Sequence, residues 1–147
     1  MLIKKVYMFL MIVSGNVINR LFMPIKKYFV NALSETIQSG YTIVGALDKS
    51  VGNIINVSFD GVDGEAVLML LDLAGVAVSN GSACASGSVQ NSHVISAIYP
   101  SKAKGAVRFS FSYLTTFEEI DYTVKELKTI LQNLRKLSPV KKQKEVK

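Results

Sequence analysis

The chain has 147 residues, a length that fits a single domain with one short appended segment. It is 49% hydrophobic and 19% charged, with 10 glycines and 3 prolines, and this composition excludes a disordered, collagen-like or low-complexity protein. One cysteine, Cys84, and one histidine, His93, exclude an intrachain disulfide and a metal site built from His and Cys ligands of this chain alone.

The net charge of +6 is concentrated at the two ends of the chain. Residues 1–30 hold five basic residues and no acidic one, and residues 138–147 hold four lysines and one glutamate. The middle of the chain, residues 31–137, holds eight basic and ten acidic residues. A nucleic-acid-binding domain usually carries its basic residues on the folded surface that binds. The charge distribution therefore argues against nucleic-acid binding by the core.

The N-terminal segment, residues 1–27, combines a basic start with an apolar run. Lys4 and Lys5 precede the apolar residues Val6–Val13, and the uncharged stretch ends at Arg20. Its fourteen uncharged residues are fewer than the roughly 20 that span a bilayer. A short apolar run after basic residues is also typical of a signal peptide. The alternatives for this segment are a signal or anchor, an element of the core, or the stump of a longer chain. For the protein as a whole we expect a cytoplasmic location.

The next part of the sequence predicts a helix followed by two strands. Over residues 26–39 apolar side chains recur at three- and four-residue spacing, which predicts a helix that Gly40 ends. Residues 41–44 are a short predicted strand. Residues 53–59 alternate apolar and polar side chains, as a half-buried strand does.

A second helix is predicted after this strand. Asp63 is placed to cap it, and it runs to about Leu73 before Gly75 ends it. Because its residues are apolar nearly all round, we expect the helix to be buried. Val76–Val78 is then predicted as a short strand.

A run of small residues follows this strand. Residues 79–91 carry no large apolar side chain before Val89, and we expect them to be the most mobile internal segment, because small side chains bury too little area to offset the entropy of ordering. A short helix, His93–Tyr99, is predicted after it, with Ser92 as its cap and Pro100 at its end.

The last strand and helix carry clear patterns. Residues 105–112 alternate, with Arg108 on the polar face and Val107, Phe109 and Phe111 on the apolar face. Thr116 begins a long helix as a capping box with Glu119. We expect the basic tail, residues 138–147, to be frayed. The expected core stripe of the long helix is Ile120, Val124, Leu127, Leu131, Leu134 and Leu137.

The predicted elements follow the order α-β-β-α-β-α-β-α, which describes a small α/β or α+β domain. Cys84 lies inside its run of Ser, Gly, Ala and Asn, whereas a buried structural cysteine usually has large apolar neighbours. Such a segment exposes the thiol and suits a carrier that collects a group at one site and delivers it at another. The alternative is a spare surface cysteine.

Several sequence blocks occur together in one order: Asn53–Phe59, Gly64-Glu65, Ser79–Ser88, Ser92–Val94, Val107–Ser110 and Thr115–Asp121. Together they resemble the C-terminal (small) domain of a cysteine desulfurase, in the class V aminotransferase family of pyridoxal-phosphate enzymes of fold type I. The long loop around Cys84 is similar to that of the group serving iron–sulfur cluster assembly and tRNA thiolation. The resemblance is firm over residues 53–137 and loose over residues 28–52. It implies a short, mostly antiparallel sheet with helices packed on it.

The resemblance also implies a chemistry. Pyridoxal phosphate weakens the carbon–sulfur bond of L-cysteine, and Cys84 attacks the sulfur as a thiolate, becoming a persulfide and leaving alanine. A scaffold or another acceptor protein then receives the sulfur. Arg108 matches the arginine that holds the substrate carboxylate. His93 stands where the family often has histidine, but a histidine at a helix start is more often structural, so we assign it no catalytic role.

The chain departs from the family in two respects, and the first is that residues 1–25 do not resemble the expected end of the family's large domain. Second, the resemblance places the cofactor-binding lysine, a histidine on the cofactor ring and an aspartate at its nitrogen in a larger N-terminal domain, and no matching segment is found here. We therefore expect that the chain does not bind pyridoxal phosphate alone and is inactive alone, either as a fragment or as a split subunit with a large-domain partner chain. The alternatives are a cofactor-free persulfide carrier or interaction module, and an inactive relic of a truncated gene.

Overall fold

A computed structural model describes residues 21–47, 50–80 and 93–137. Helices and strands follow one another in the order that the sequence predicts. The elements are α1 (residues 21–37), β1 (Tyr41–Val44), β2 (Ile54–Phe59), α2 (Gly64–Leu73), β3 (Ser79–Asn80), α3 (His93–Ile98), a 3₁₀ turn (Pro100–Lys102), β4 (Ala106–Ser110) and α4 (Phe117–Leu137).

The four strands form one antiparallel sheet in the order β1-β2-β4-β3. The central pair, β2 and β4, aligns Val57 with Val107 and Asn56 with Arg108. The expected fold class, a small α/β (α+β) domain with a short antiparallel sheet and packed helices, is confirmed.

One face of the sheet carries the main hydrophobic core. Helices α1, α2 and α4 contribute residues to it, and the ring of Phe29 on α1 lies 4.9 Å from that of Phe109 on β4. The predicted apolar face of β4 is confirmed, because Val107, Phe109 and Phe111 are all buried. The fully buried large residues of the core are Phe29, Phe59, Leu33, Leu71, Leu127 and Leu131.

The opposite face of the sheet is partly covered by the segment that contains α3 and the 3₁₀ turn. Ile95, Ala103 and Ala106 form a small apolar cluster there, with Val44 packed against it. The buried Ser58 hydroxyl donates to the Lys102 carbonyl at 2.5 Å. This second face is thus divided between an apolar patch and polar side chains.

Helix α1 differs from its predicted bounds at both ends. Phe22 is buried, so the core-facing stripe continues upstream of the predicted start at residue 26. The helix ends at residue 37, because Gln38 adopts a left-handed conformation (φ 62°) two residues before the predicted stop at Gly40.

The N-terminal cap of α2 is confirmed, since the Asp63 carboxylate accepts the Glu65 amide at 3.0 Å. The prediction that this helix is buried on all sides is wrong. Val67 and Leu71 are fully buried, but Met69 is 60% exposed and Leu73 is 83% exposed. The reason is that α2 packs against α4 and against β3 and β4, and these neighbours leave the remaining side of the helix open to solvent.

The strand predicted at Val76–Val78 is also wrong. Gly75 takes a left-handed conformation (φ 79°), and the Val76 amide donates to the Leu71 carbonyl at 2.8 Å. This hydrogen bond closes the end of α2 and keeps Val76 out of the sheet. Pairing with β4 begins at Ser79, so β3 consists of Ser79 and Asn80.

The capping box of α4 is confirmed in both directions. The Glu119 amide donates to the Thr116 hydroxyl at 3.2 Å, and the Thr116 amide donates to the Glu119 carboxylate at 2.9 Å. The predicted stripe is buried from Ile120 through Leu131 and half-buried at Leu134, but Leu137 is 80% exposed. Leu137 is the last described residue of α4.

Among the described residues helix α3 runs from His93 to Ile98, one residue short of the predicted end at Tyr99, and Pro100 opens the 3₁₀ turn that follows. Several expectations concern residues outside the described ranges. They are those for residues 1–20, for residues 81–91 with Cys84, for the Ser92 cap and for the tail at 138–147. No helix within residues 21–47, 50–80 and 93–137 is both long and apolar enough to cross a membrane.

Candidate functional site

A row of side chains crosses the sheet on the face opposite the core. Arg108 on β4 is aligned with Asn56 on β2 and with Ser79 on β3, and Asn56 is in turn aligned with Val44 on β1. Directly opposite residues of antiparallel strands point to the same face. The register therefore flanks the predicted carboxylate-binding residue, Arg108, with one polar residue on each side.

The contact of Arg108 with Ser79 is long. The Arg108 Nη2 atom lies 3.4 Å from the Ser79 hydroxyl oxygen, while that hydroxyl donates its own proton to the Asn80 carbonyl at 3.1 Å. Ser79 therefore acts only as an acceptor for the guanidinium. At 3.4 Å the interaction is near the limit for a hydrogen bond and holds the guanidinium weakly.

Within the described part of the chain, two buried polar atoms of the row have no hydrogen-bond partner. They are Arg108 Nε, a donor, and Asn56 Oδ1, an acceptor. Each unsatisfied buried group costs about 1–3 kcal/mol, so such atoms are uncommon in folded proteins. Neither of the ion pairs within the described ranges, Lys102–Asp60 and Lys104–Asp63, involves Arg108.

This arrangement leaves a guanidinium with unused donors beside a half-covered sheet face. Arginine presents a planar set of N–H groups that matches the two oxygens of a carboxylate. Since no carboxylate of the described chain occupies Arg108, the site is suited to a carboxylate from a ligand.

A second basic residue, Lys26, is also close to Asn56. Lys26 on α1 is 2% exposed, and its ammonium donates to the Ser50 hydroxyl at 2.6 Å and to the Val51 carbonyl at 3.0 Å. Burial lowers the pKa of Lys26 below its ordinary value. Lys26 and Asn56 line the same small cleft beside β1.

The sequence did not single out Lys26, Asn56 or Ser79. A signal for Lys26 exists, because it lies four residues after Phe22 and three before Phe29 on the apolar stripe of α1. Asn56 and Ser79 carry no comparable signal, since their places beside Arg108 depend on strand order.

The other predicted site residue, Cys84, lies outside the described residues. His93 is the first residue of α3. Across residues 21–47, 50–80 and 93–137, no group of three or more His, Cys, Asp or Glu side chains could hold a metal ion.

Comparisons with known proteins place this fold in a family. The model of the aminotransferase class-V family matches residues 4–123. A cysteine desulfurase NifS of Azotobacter vinelandii is 42% identical over 127 residues, which are 80% of this chain and 32% of that protein. A cysteine desulfurase IscS of Dictyoglomus turgidum is 41% identical over 121 residues, or 81% of this chain and 30% of that protein. The chain thus spans about a third of the length of these curated relatives.

A solved structure described as a NifS-like protein superimposes with a TM-score of 0.64 at 26% identity, over 80% of this chain and 29% of the other. A NifS-like protein from Rickettsia africae superimposes with a TM-score of 0.59 at 23% identity, over 76% of this chain and 29% of the other, and supports the fold. The chain belongs to the class V aminotransferase family, a pyridoxal-phosphate family whose cysteine desulfurases share its sequence and fold.

Proposed function

We propose that this chain supplies the small-domain part of a cysteine desulfurase active site. Residues 28–137 form the working unit, Arg108 holds the carboxylate of L-cysteine, and Cys84 accepts the sulfur. The observation that carries the proposal is the uncommitted guanidinium of Arg108, which contacts the strand that leads directly into the segment containing Cys84.

The role of Arg108 follows from its position on the sheet. Strand β4 is paired on both sides, so the backbone that carries Arg108 is fixed by two neighbours. A guanidinium on such a support binds a carboxylate through two parallel hydrogen bonds and thereby orients the substrate. A lysine at the same position offers a point charge without this planar match.

The role of Cys84 rests on its resemblance to the family cysteine and on the short length of chain that joins it to Ser79, the residue that Arg108 contacts. Cys84 follows Ser79 by five residues, a length of chain that spans at most about 18 Å. In the proposed transfer, the carbon–sulfur bond of L-cysteine breaks and a sulfur–sulfur bond to Cys84 forms. The thiol and L-cysteine become a persulfide and L-alanine, so no external oxidant or reductant is required.

The described residues do not fit a pyridoxal-phosphate site. The cofactor needs a lysine amine that can form a covalent link, but the Lys26 amine is buried and bonded to Ser50 and Val51. Lys102 and Lys104 pair with aspartates. The remaining described lysines, Lys27, Lys125, Lys128 and Lys136, are exposed on helices. We therefore assign the cofactor to a separate large domain or partner chain and derive no step through it.

The experiment that tests this proposal is an assay of the purified chain with pyridoxal phosphate and L-cysteine. We expect no cofactor spectrum bound to the chain, no sulfide and no alanine, with the full-length NifS of Azotobacter vinelandii as the positive control. Cofactor-dependent release of alanine by this chain alone would show that the proposed division of the active site is wrong.

A further inference from the structure

We infer that Asn56 is a positioning residue for Arg108: its amide oxygen accepts the Arg108 Nε–H when a carboxylate binds at the outer end of the guanidinium. This inference rests on the proposed function of Arg108, and it assigns a role to a residue on a different strand. Three features of the described residues support it: the strand register, the burial of the two atoms and the weakness of the competing contact.

The register brings Asn56 and Arg108 as close as two residues on paired strands can be. The amide of Phe111 donates to the Asn53 carbonyl at 2.8 Å, and the amide of Phe59 donates to the Gly105 carbonyl at 2.9 Å. These bonds mark hydrogen-bonded positions of the ladder, which alternate with non-hydrogen-bonded ones. Asn56 and Arg108 therefore form a non-hydrogen-bonded pair, whose Cα atoms are about 4.5 Å apart and whose side chains approach most closely.

The two unsatisfied atoms are complementary. Arg108 Nε can only donate and Asn56 Oδ1 can only accept, and both are shielded from solvent. A shielded donor cannot be satisfied by bulk water, so its partner has to be an interior acceptor. Among the residues that the structure describes, Asn56 Oδ1 is the buried side-chain acceptor left without a bond.

The contact of Arg108 with Ser79 does not oppose this pairing. Because Nη2 is 3.4 Å from the Ser79 oxygen, a rotation of the guanidinium toward Asn56 gives up little hydrogen-bond energy. With Nε–H on Asn56, the Nη1 and Nη2 groups face outward side by side. A carboxylate then meets two parallel donors in a fixed plane.

Nuclear magnetic resonance of the side-chain Nε–H groups tests this inference in the chain itself. The sequence contains three arginines, Arg20, Arg108 and Arg135, so the Arg108 signal can be assigned with an Arg108→Lys variant. L-Alanine serves as the carboxylate probe, and L-alaninamide, which lacks the carboxylate, is the matched ligand control.

In the wild type we expect saturating L-alanine to slow solvent exchange of the Arg108 Nε–H at least tenfold, while L-alaninamide has no effect. In Asn56→Leu, which keeps the bulk but lacks the acceptor, we expect no slowing and at least fivefold weaker binding of L-alanine. In Asn56→Asp the acceptor is kept but its charge competes with the ligand, so the Nε–H exchanges slowly without L-alanine and no longer responds to it. Thr42→Val removes a polar group from the same sheet face one strand further away and should behave as wild type.

The outcomes separate the two claims. If L-alanine slows exchange of the Arg108 Nε–H equally and binds equally tightly in the wild type and Asn56→Leu, the role of Asn56 is overturned while the proposed function of Arg108 stands. If L-alanine leaves the wild-type Arg108 signal unchanged, the carboxylate role of Arg108 is overturned. Should Asn56→Leu fail to fold, a through-hydrogen-bond coupling between Arg108 Nε and the Asn56 side chain in the L-alanine-saturated wild type decides the question, since its absence overturns the inference.

Discussion

At the scale of single residues, the domain has two basic side chains near Asn56: Arg108 is its partner on β4, and Lys26 lines the same cleft. Lys26 is buried with its ammonium bonded to Ser50 and Val51, whereas the guanidinium of Arg108 keeps unused donors. A satisfied buried polar group contributes to the fold, and an unsatisfied one costs stability unless a ligand completes it. Replacing Lys26 by an apolar residue should therefore lower the free energy of unfolding, whereas replacing Arg108 should not.

Replacing Arg108 by Met should leave the free energy of unfolding unchanged or raise it by up to about 1 kcal/mol, because the change removes a buried donor without a partner. Urea denaturation of the ligand-free chain measures this. A loss well beyond about 1 kcal/mol would instead assign Arg108 to the framework of the fold. Arg135→Met is the contrasting variant and should lower the free energy of unfolding, since the Arg135 guanidinium donates to the Gly40 and Asp60 carbonyls at 2.6 and 3.1 Å.

Replacing Lys26 by Met should change how stability depends on pH. Burial puts the pKa of Lys26 in the folded chain below the ordinary value of 10.5. Between that lowered pKa and 10.5, the unfolded chain binds more protons at Lys26 than the folded chain does. The free energy of unfolding of the wild type, relative to Lys26→Met, should therefore rise with pH in this range. Urea denaturation of both proteins at neutral pH and near pH 10 gives the difference, and a fall would contradict the assigned burial.

At the scale of elements, α4 is fixed at its start by two sets of side-chain contacts. Thr116 and Glu119 exchange hydrogen bonds across the first turn. The Tyr28 hydroxyl of α1 donates to the Asp121 carboxylate at 3.0 Å, and its ring lies 4.5 Å from that of Phe117. The hydrogen bond to Asp121 raises the pKa of Tyr28. These contacts hold α1 and α4 together on the core face, away from the row that contains Arg108.

The capping box supplies a prediction at this scale. Thr116→Ala should lower the free energy of unfolding by about 1 kcal/mol, because the Glu119 amide loses its acceptor at the helix start. Thr116→Ser keeps the hydroxyl and should recover most of the loss. Thermal unfolding followed by circular dichroism measures both variants, and equal stability of Ala and Ser at this position would contradict a role for the hydroxyl.

At the scale of the whole molecule, the order of elements and the Arg108-bearing face of β4 could be predicted from the sequence because their signals are local. The alternation around Arg108 and the Thr116–Glu119 pair are each visible within a few residues. The neighbours of Arg108 could not be predicted, since they depend on β2 and β3 pairing with β4 from either side. The exposure of Leu73 and Leu137 was missed for a related reason: apolar content does not reveal which sides of a helix its neighbours in the fold cover.

The central claim is that Cys84 of the folded chain receives sulfur. Its most direct test is mass spectrometry of the intact chain after incubation with L-cysteine and an active cysteine desulfurase, with Cys84→Ser as the matched control. We predict the addition of one sulfur atom at Cys84, removed by a thiol reductant and absent from Cys84→Ser. A folded chain that stays unmodified at Cys84, with the thiol reacting only after denaturation, would contradict the account.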